Sequence, residues 1–408
     1  MRRLTLEQLP AILGRLPTGP RIVASGNFAT PQTLLSAVDA ALPAYTLHIL
    51  NAQVGIPQRP GVILETAFVG PGMRGQPGLH YVPCRLSLVP VLFQRSLPPD
   101  MVVLHTSTVH NGAVSLGIEV NVLPAAVDAV RARGGIVVAQ ANPQMPYTYG
   151  DAELHLDDID YLVEVDEPLP LAGFPEPDDA SVAIGDLIAA QVENGATLQL
   201  GIGSIPDAVL RRLSGTGDLR LYSEMFSDGI WELEQSGKLD IEVPLIASFL
   251  FGSRELYSWV HRNPRVRMMR TEITNDPARI ARQRIMTSIN GALQVDLSAQ
   301  ANASRIGGRI YSGFGGSTDF IVGALHSPGG HAYMALPSWH PRADISTIVA
   351  QIEGPVTSFQ HSAVVTEQGM ALVFGNSEAE QTHQIIENCA HPDARPELWR
   401  AAKLMGRA

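Results

Sequence analysis

The sequence predicts an α/β protein with mostly parallel sheets, divided into two domains. Along the 408 residues, short apolar runs that end in glycine turns alternate with segments of helical spacing, which is the pattern of strands joined by crossover helices. Residues 157–179 are acidic and rich in proline, a composition typical of linkers. We therefore place a boundary near residue 178, between an N-terminal domain of residues 1–178 and a C-terminal domain of residues 179–408.

The individual elements follow from the same pattern. In the first domain, strands are predicted at residues 22–24, 45–50, 62–67, 100–105, 136–139 and, at the sheet edge, 161–165, with helices at 31–41 and 122–133. In the second domain, strands are predicted at residues 198–200, 219–223, 244–249, 265–269, 287–297, 333–336, 348–352 and 363–367. Its helices are predicted at residues 181–192, 207–213, 230–236, 378–390 and 395–402, and after the turns at 274–277 and 311–320.

The stretch from residue 197 to residue 229 is the candidate site. It contains a strand, the turn Gly201-Ile202-Gly203-Ser204-Ile205-Pro206, a helix, and a second strand that ends at Glu224. Ligands of open α/β sheets bind at the carboxyl ends of strands, and a glycine turn at a helix N-terminus suits phosphate. Because Pro206 replaces the third glycine of the dinucleotide motif, three alternatives remain. The turn holds a nicotinamide dinucleotide, another pyrophosphate ligand, or no ligand.

Glu224 is the candidate reactive group, because it ends a strand beside this turn. A carboxylate there serves as nucleophile, base or ribose anchor, or it only bonds backbone N–H groups at a helix start. Glu193 and Glu367 compete with it; Glu193 is expected to be solvated and Glu367 to support the site. A second glycine turn spans residues 312–316 and is expected either to aim N–H groups at an oxyanion or to pack against a strand. In the glycine-rich loop of residues 68–78, Arg74 is either an anion contact or a solvated surface arginine.

The composition excludes several classes of function. A net charge of −11 argues against a nucleic-acid or anionic-membrane partner, and no apolar run reaches the roughly 18 residues of a membrane span. The N-terminal residues do not form a signal-peptide pattern. Cys84 and Cys389 fit a reducing cytoplasm, a disulfide between them being the alternative. Since no cysteine or histidine pair has ligand spacing, no metal is expected.

Several of these stretches together resemble the acetyl-CoA hydrolase/transferase family, in particular its 4-hydroxybutyrate CoA-transferase branch. The resemblance covers nearly the whole chain and rests on the motifs at residues 68–71, 81–83, 105–117, 201–206, 223–229, 274–277, 288–290, 295–297, 312–316, 319–320 and 365–367. It implies two CoA-transferase-type (NagB/RpiA-like) domains and a ping-pong transfer of CoA from a short-chain acyl-CoA to a carboxylate. An acyl-CoA hydrolase on the same scaffold is the close alternative. An NAD-dependent oxidoreductase and a non-catalytic CoA-binding protein are distant ones.

The resemblance also implies roles for single residues. Glu224 would form a glutamyl-CoA thioester, and CoA, as a substrate rather than a tightly bound cofactor, would lie on residues 201–205. Further CoA contacts are implied at Ser312 and Gly316, and oxyanion or substrate contacts at Asn275, Gly315, Gly316 and Asn290. A homodimer is expected. The sequence departs from the family at residues 106–112 and at Gln368, where an aromatic residue is usual, so the acyl group and the acceptor stay open.

Overall fold

The computed structural model describes residues 1–173, 176–354, 356 and 360–408. The chain forms two compact units, each discontinuous in sequence. The first consists of Met1–Ala172, Pro244–Thr274 and Ile310–Gly315, and the second of Gly173–Val243, Asn275–Arg309 and Gly316–Ala408. The predicted linker includes residues 174 and 175, which lie outside the described residues. The single division at residue 178 stays a prediction, and the compact units divide the chain differently.

The helices are α1 (Leu9–Leu13), α2 (Gln32–Ala41), α3 (Val89–Gln94), α4 (Leu123–Ala132), α5 (Asp179–Ala189), α6 (Ser204–Arg212), α7 (Asp228–Gln235), α8 (Arg254–Val260), α9 (Thr271–Thr274), α10 (Pro277–Ile280), α11 (Ser317–His326), α12 (Glu378–Gln384) and α13 (Arg395–Leu404). A π-helical turn, Ile385–Cys389, follows α12.

The strands up to residue 226 are β1 (Arg2–Arg3), β2 (Arg21–Ala24), β3 (Tyr45–His48), β4 (Val62–Thr66), β5 (His80–Tyr81), β6 (Met101–Thr106), β7 (Ala113–Ser115), β8 (Ile136–Ala141), β9 (Tyr149–Gly150), β10 (Glu153–His155), β11 (Tyr161–Glu164), β12 (Thr197–Leu200), β13 (Arg220–Leu221) and β14 (Met225–Phe226). The later strands are β15 (Leu245–Ala247), β16 (Phe249–Leu250), β17 (Val266–Met268), β18 (Met286–Gly291), β19 (Gln294–Asp296), β20 (Ala301–Asn302), β21 (Arg305–Ile306), β22 (Arg309–Ile310), β23 (His331–Ala335), β24 (Trp339–His340), β25 (Ile345–Ser346), β26 (Ile348–Val349), β27 (Ala363–Thr366) and β28 (Gly369–Leu372).

The first unit is built on a parallel sheet in the order β1-β11-β8-β6-β2-β3-β4-β5. From β2 the chain proceeds outward to β5 on one side, and β6, β8 and β11 then fill the other side. Helix α2 covers this sheet with Leu34, Leu35 and Val38, all fully buried in the unit's core. The segment 244–274 belongs to this unit because β17 pairs with β9, a contact between residues more than a hundred positions apart that sequence periodicity does not reveal.

The second unit contains a sheet in which β14, β12, β18, β23, β27 and β28 are neighbours in that order, with β13 also beside β12. Strands β12, β18, β23 and β27 run parallel, so their carboxyl ends share one edge. Helices α5 and α6 pack closely, because a Cβ atom on Gly185 would lie only 2.9 Å from the backbone and side chain of Ala208. The predicted α/β architecture with mostly parallel sheets is confirmed.

Several details of the prediction are wrong, including the following three. The edge strand predicted at residues 161–165 is interior, because β1 pairs with its outer side. The strand predicted at residues 287–297 is two strands, β18 and β19, which belong to different sheets. The strand predicted at residues 219–223 is reduced to Arg220–Leu221, since the chain reverses directly after it. No helix of the described residues is long and apolar enough to cross a membrane.

Phe320 anchors α11 in the second unit, where only 1% of its surface is exposed. We expect Phe320→Ala to lower the free energy of unfolding by about 3–5 kcal/mol, because it removes buried apolar surface and leaves a cavity. Urea unfolding measures this change. Phe374→Ala is the matched control, since Phe374 is 60% exposed and its loss should cost less than about 1 kcal/mol. Equal destabilisation by the two variants would contradict the described packing.

Candidate active site

The glycine turn lies at the N-terminus of α6. Strand β12 ends at Leu200, and α6 begins at Ser204, three residues earlier than predicted. Gly203 precedes the helix with a φ of 115°, which glycine adopts without strain. The first N–H groups of a helix have no acceptor within it, and Pro206 has no N–H group, so Ser204 and Ile205 supply the donors of this turn. The predicted strand, glycine turn and helix are present.

The strand pairing brings Glu224 next to this turn. Strand β13 runs parallel to β12, whereas Met225 of β14 pairs with Leu200 of β12 in antiparallel register. In that register, the residue before Met225 lies opposite the residue after Leu200, so Glu224 faces Gly201. The hydroxyl group of Ser223 donates to the carbonyl oxygen of Leu200 at 3.3 Å and holds the reversal in place.

Asn275 and Gly316 complete the surroundings of the carboxylate. The side-chain amide of Asn275 donates a hydrogen bond of 2.9 Å to Oε2 of Glu224. A Cβ atom on Gly316 would lie 1.8 Å from that oxygen and 2.1 Å from Nδ2 of Asn275, so only glycine fits at this position. Because Gly316 is the cap residue of α11, the N-terminus of this helix lies beside the carboxylate. The structure therefore brings together three of the predicted site residues.

The electrostatics of the site perturb the carboxylate. Burial raises the pKa of Glu224 to about 7; the hydrogen bond from Asn275 acts in the opposite direction, and the negative charge of Asp319 adds to the increase. A carboxyl group with a pKa near neutrality is a common property of catalytic residues. Sequence reasoning did not identify Asp319 as a contributor, although it lies in a quoted motif, because its proximity to Glu224 depends on how α11 is placed.

A pocket of about 300 Å³ opens at the carboxyl ends of β12, β18 and β23. Its lining comprises residues 201–206, 289–293, 303 and 335–337 and is mostly apolar. Asn290 supplies a polar group in this wall, and its amide donates to Oε1 of Gln199 at 3.2 Å and to the hydroxyl of Ser288 at 2.8 Å. Gln199 and Ser288 are further contributors that sequence reasoning missed; for Gln199, the signal was a polar residue between Leu198 and Leu200.

Ser312 and Gly315 belong to the first unit. The carbonyl oxygen of Ser312 accepts from the N–H of Val69, and that of Gly315 from the N–H of Leu86, each at 2.9 Å. Gly315 has a φ of 58°, a conformation that favours glycine. The roles predicted for these two residues stay predictions.

The competing glutamates differ from Glu224. Glu193 is exposed, as expected. Glu367 is half-buried, and burial alone would raise its pKa, but hydrogen bonds from the hydroxyl and the N–H of Ser338 outweigh this effect and lower it. Among the described residues, no group of three or more His, Cys, Asp or Glu side chains has the arrangement of a metal site.

Comparisons with known proteins identify the family of this chain. Residues 252–402 match the family described as the acetyl-CoA hydrolase/transferase C-terminal domain. The 4-hydroxybutyrate coenzyme A transferase of Clostridium kluyveri is 37% identical over 335 residues, which cover 79% of this chain and 77% of that protein. An acetyl-CoA hydrolase of Kluyveromyces lactis is 33% identical over 213 residues, or 50% of this chain and 40% of the hydrolase.

Solved structures superpose on this chain over nearly its full length. RipA from Yersinia pestis superposes with a TM-score of 0.92 at 26% identity, covering 100% of this chain and 98% of RipA. The 4-hydroxybutyrate CoA-transferase of Porphyromonas gingivalis superposes with a TM-score of 0.83 at 30% identity, covering 99% of this chain and 98% of that one. Fold and site thus define an α/β protein of the CoA-transferase class. The chain belongs to the acetyl-CoA hydrolase/transferase family.

The raised pKa of Glu224 predicts a pH-dependent stability difference. The folded state binds the Glu224 proton more tightly than the unfolded state does. The free energy of unfolding therefore falls as pH rises from about 4.5 to 7, and the favourable contribution of this group is lost above pH 7. Glu224→Gln removes the titration. We expect its unfolding free energy to rise relative to the native protein by up to about 3 kcal/mol between pH 5 and pH 8.

Urea unfolding across this pH range measures the difference. Glu242→Gln is the control, because Glu242 is exposed. The unfolding free energy of this variant, plotted against pH, should run parallel to that of the native protein. Parallel curves for Glu224→Gln as well would show that the pKa of Glu224 is not raised.

Proposed function

We propose that this protein is a CoA-transferase that moves CoA from a short-chain acyl-CoA, of the acetyl-CoA or 4-hydroxybutyryl-CoA type, to a carboxylate. Glu224 is the nucleophile and carries CoA as a glutamyl-CoA thioester. The observation that carries the proposal is the position of Glu224: the residue lies opposite Gly201 in the pairing of β14 with β12, and its carboxylate accepts a hydrogen bond from Asn275 and lies against the cap of α11 at Gly316. The names of the relatives support the reaction class.

The reaction begins with attack of a carboxylate oxygen of Glu224 on the thioester carbonyl carbon. The C–S bond breaks, which gives an acyl-glutamyl anhydride and CoA thiolate. The thiolate then attacks the glutamyl carbonyl, releases the first carboxylate and leaves glutamyl-CoA thioester. A second carboxylate reverses the two steps and departs as the new acyl-CoA. Since a carboxylate is a weak nucleophile, holding it against the carbonyl is essential, and such proximity is worth up to about 7–11 kcal/mol.

CoA is assigned to residues 201–205 and the adjoining pocket. The N–H groups of Ser204 and Ile205 and the positive end of the α6 dipole favour a phosphate or another negative group. The pocket wall is mostly apolar and includes Asn290 as a polar residue. Binding energy from the part of CoA that does not react would drive the strained steps at Glu224.

Stabilisation of the tetrahedral oxyanions is assigned to Asn275 and to N–H groups at the start of α11, where Gly316 allows close approach. One such donor is worth roughly 3–4 kcal/mol of transition-state stabilisation. Ser312 and Gly315 are assigned further contacts with CoA and substrate from the family resemblance. The acyl group depends on the loop of residues 106–112 and on Gln368, whose amide contacts Glu367 at 3.1 Å.

An acyl-CoA hydrolase is the second candidate, because the family includes acetyl-CoA hydrolases. In that case, water attacks the glutamyl intermediate in place of the second carboxylate. The dinucleotide-dependent oxidoreductase is not favoured, since the relatives are CoA-transferases. A cytoplasmic location and a homodimer belong to the proposal; the buried thiols of Cys84 and Cys389 are consistent with a reducing compartment.

The proposal is tested by incubating the protein with acetyl-CoA in the absence of an acceptor and recording its intact mass. We expect a covalent adduct equal to one CoA less one water, and we expect no adduct with Glu224→Ala or Glu224→Gln. Glu367→Gln is the matched control and should retain the adduct. Consumed acetyl-CoA with an adduct that also forms in Glu224→Gln would refute the assigned nucleophile.

A panel of acceptors then separates the two candidates. A transferase forms a new acyl-CoA from acetyl-CoA with butyrate or 4-hydroxybutyrate, whereas a hydrolase releases free CoA at the same rate with and without them. Intact acetyl-CoA and no adduct in the native protein would exclude acetyl-CoA as the donor, and butyryl-CoA and 4-hydroxybutyryl-CoA would be tried next.

Gly316 offers a test of the geometry. A methyl group there would displace the carboxylate of Glu224 and the amide of Asn275, because it would lie within 2.1 Å of both. We expect Gly316→Ala to reduce kcat by at least about 100-fold, as is typical when reacting groups are misplaced, while the fold is retained. Gly217→Ala is the control, since a Cβ atom there has no neighbour within 4 Å. Unchanged adduct formation in Gly316→Ala would contradict this arrangement.

A further inference from the structure

Residues 69–72, in the first half of the loop between β4 and β5, are closely packed in the first unit. Cβ atoms on Gly70 and Gly72 would lie 2.3 Å and 2.2 Å from the backbone of residues 51–53. The N–H of Gly72 donates to the carbonyl of Ala52 at 2.8 Å, and the N–H of Val69 donates to that of Ser312 at 2.9 Å. The loop is therefore fixed both to the end of β3 and to the segment of residues 311–313.

This loop presents Arg74 in a fixed orientation. Nε of Arg74 donates to the carbonyl oxygen of Tyr311 at 3.0 Å, and its guanidinium carbon lies 4.0 Å from the centre of the Tyr311 ring. A guanidinium group that stacks on an aromatic ring and bonds through Nε has little rotational freedom left. The two terminal nitrogen atoms, Nη1 and Nη2, are not used by these contacts.

The terminal nitrogen atoms of Arg74 also have no carboxylate partner among residues 1–173, 176–354, 356 and 360–408. Some arginines of the first unit do form such an ion pair: Arg21 pairs with Glu65, and Arg131 with Asp160. Arg74 is only partly exposed and is held by the carbonyl oxygen and the ring of Tyr311 rather than by an acidic side chain. The planar fork of Nη1 and Nη2 matches two oxygen atoms of a carboxylate or a phosphate.

We propose that Arg74 binds a pair of anionic oxygen atoms on one of the two substrates, either a phosphate of CoA or the carboxylate of the acceptor. Tyr311 acts as a positioning residue that holds the guanidinium group. The proposal rests on the function proposed above, and Tyr311 directly precedes Ser312, for which the resemblance implies a CoA contact. An anion contact at Arg74 is thus favoured over a solvated surface arginine.

Steady-state kinetics of Arg74→Gln test this proposal with acetyl-CoA, S-acetylpantetheine and sodium butyrate as probes. Loss of a charge-assisted bidentate contact should raise KM for the affected substrate by roughly 10- to 100-fold, with kcat within about threefold of the native value. Arg74→Lys keeps the charge but not the fork, so it should recover only part of the affinity. Arg95→Gln, a change of exposed charge in the same unit, is the control and should leave KM unchanged.

The probes identify the source of the anion. If KM rises for acetyl-CoA but not for S-acetylpantetheine, the anion is a phosphate of CoA. If KM rises for butyrate alone, it is the acceptor carboxylate. Unchanged KM values for all three probes would overturn the proposal. An equal loss of activity with all three probes, together with a lower thermal unfolding midpoint, would also overturn it, because that result would assign Arg74 a purely structural role.

Tyr311 provides an independent check that leaves Arg74 in place. Tyr311→Phe keeps the ring and the backbone carbonyl and should behave as the native protein, whereas Tyr311→Ala should raise the same KM by roughly two- to fivefold.

If the native protein does not turn over any of the acyl-CoAs tested, the proposed function fails. Titration calorimetry of CoA and of butyrate with native protein and Arg74→Gln then tests Arg74 separately, and equal affinities for both ligands would overturn its role.

Discussion

The antiparallel pairing of Met225 with Leu200 is the constraint on which the candidate site depends. Strand β13 leaves the sheet parallel to β12, and β14 returns antiparallel to the same strand, so the chain must reverse between them. The reversal places Glu224 at the carboxyl end of β12, opposite Gly201. Without it, the carboxylate would continue along the direction of β13, and neither Asn275 nor the start of α11 would meet it.

Two glutamates at strand ends of the same sheet show how their neighbours decide their chemistry. Glu367 accepts hydrogen bonds from Ser338 that stabilise its charged form, and its pKa is lowered despite burial. Glu224 has Asn275 as a donor, and burial and the charge of Asp319 dominate, so its pKa is raised. Residue type and position at a strand end are therefore insufficient to identify a reactive carboxylate; the number and charge of its contacts distinguish the two.

Local patterns were sufficient for much of the fold. The strand, glycine turn and helix around Gly201 are encoded within a few residues, as are the buried strands β2, β6 and β12. What the sequence did not predict depends on long-range pairing. The break of residues 287–297 into β18 and β19 arises because β19 pairs with β26, and the discontinuous units arise because β17 pairs with β9.

The same limit applies to the site. Residue spacing alone singled out Glu224 and the glycine turn, because both lie next to one another in one supersecondary unit. Asn275 and Gly316 were identified only through the resemblance to a family, since each lies more than fifty residues from Glu224 and nothing in their local sequence indicates a common location. Asp319 and Gln199 were not identified, because their effects depend on the packing of side chains rather than on a motif.

The close contact between Gly185 and Ala208 has a consequence for how substitutions are tolerated. Gly185 lies in α5, on a helix that carries no candidate catalytic residue, yet any side chain there would press on the backbone of α6. Because α6 begins directly at the glycine turn, such pressure would shift that turn as a rigid body. A genetic variant at Gly185 would thus be misjudged as harmless if its importance were inferred only from distance to the reacting carboxylate.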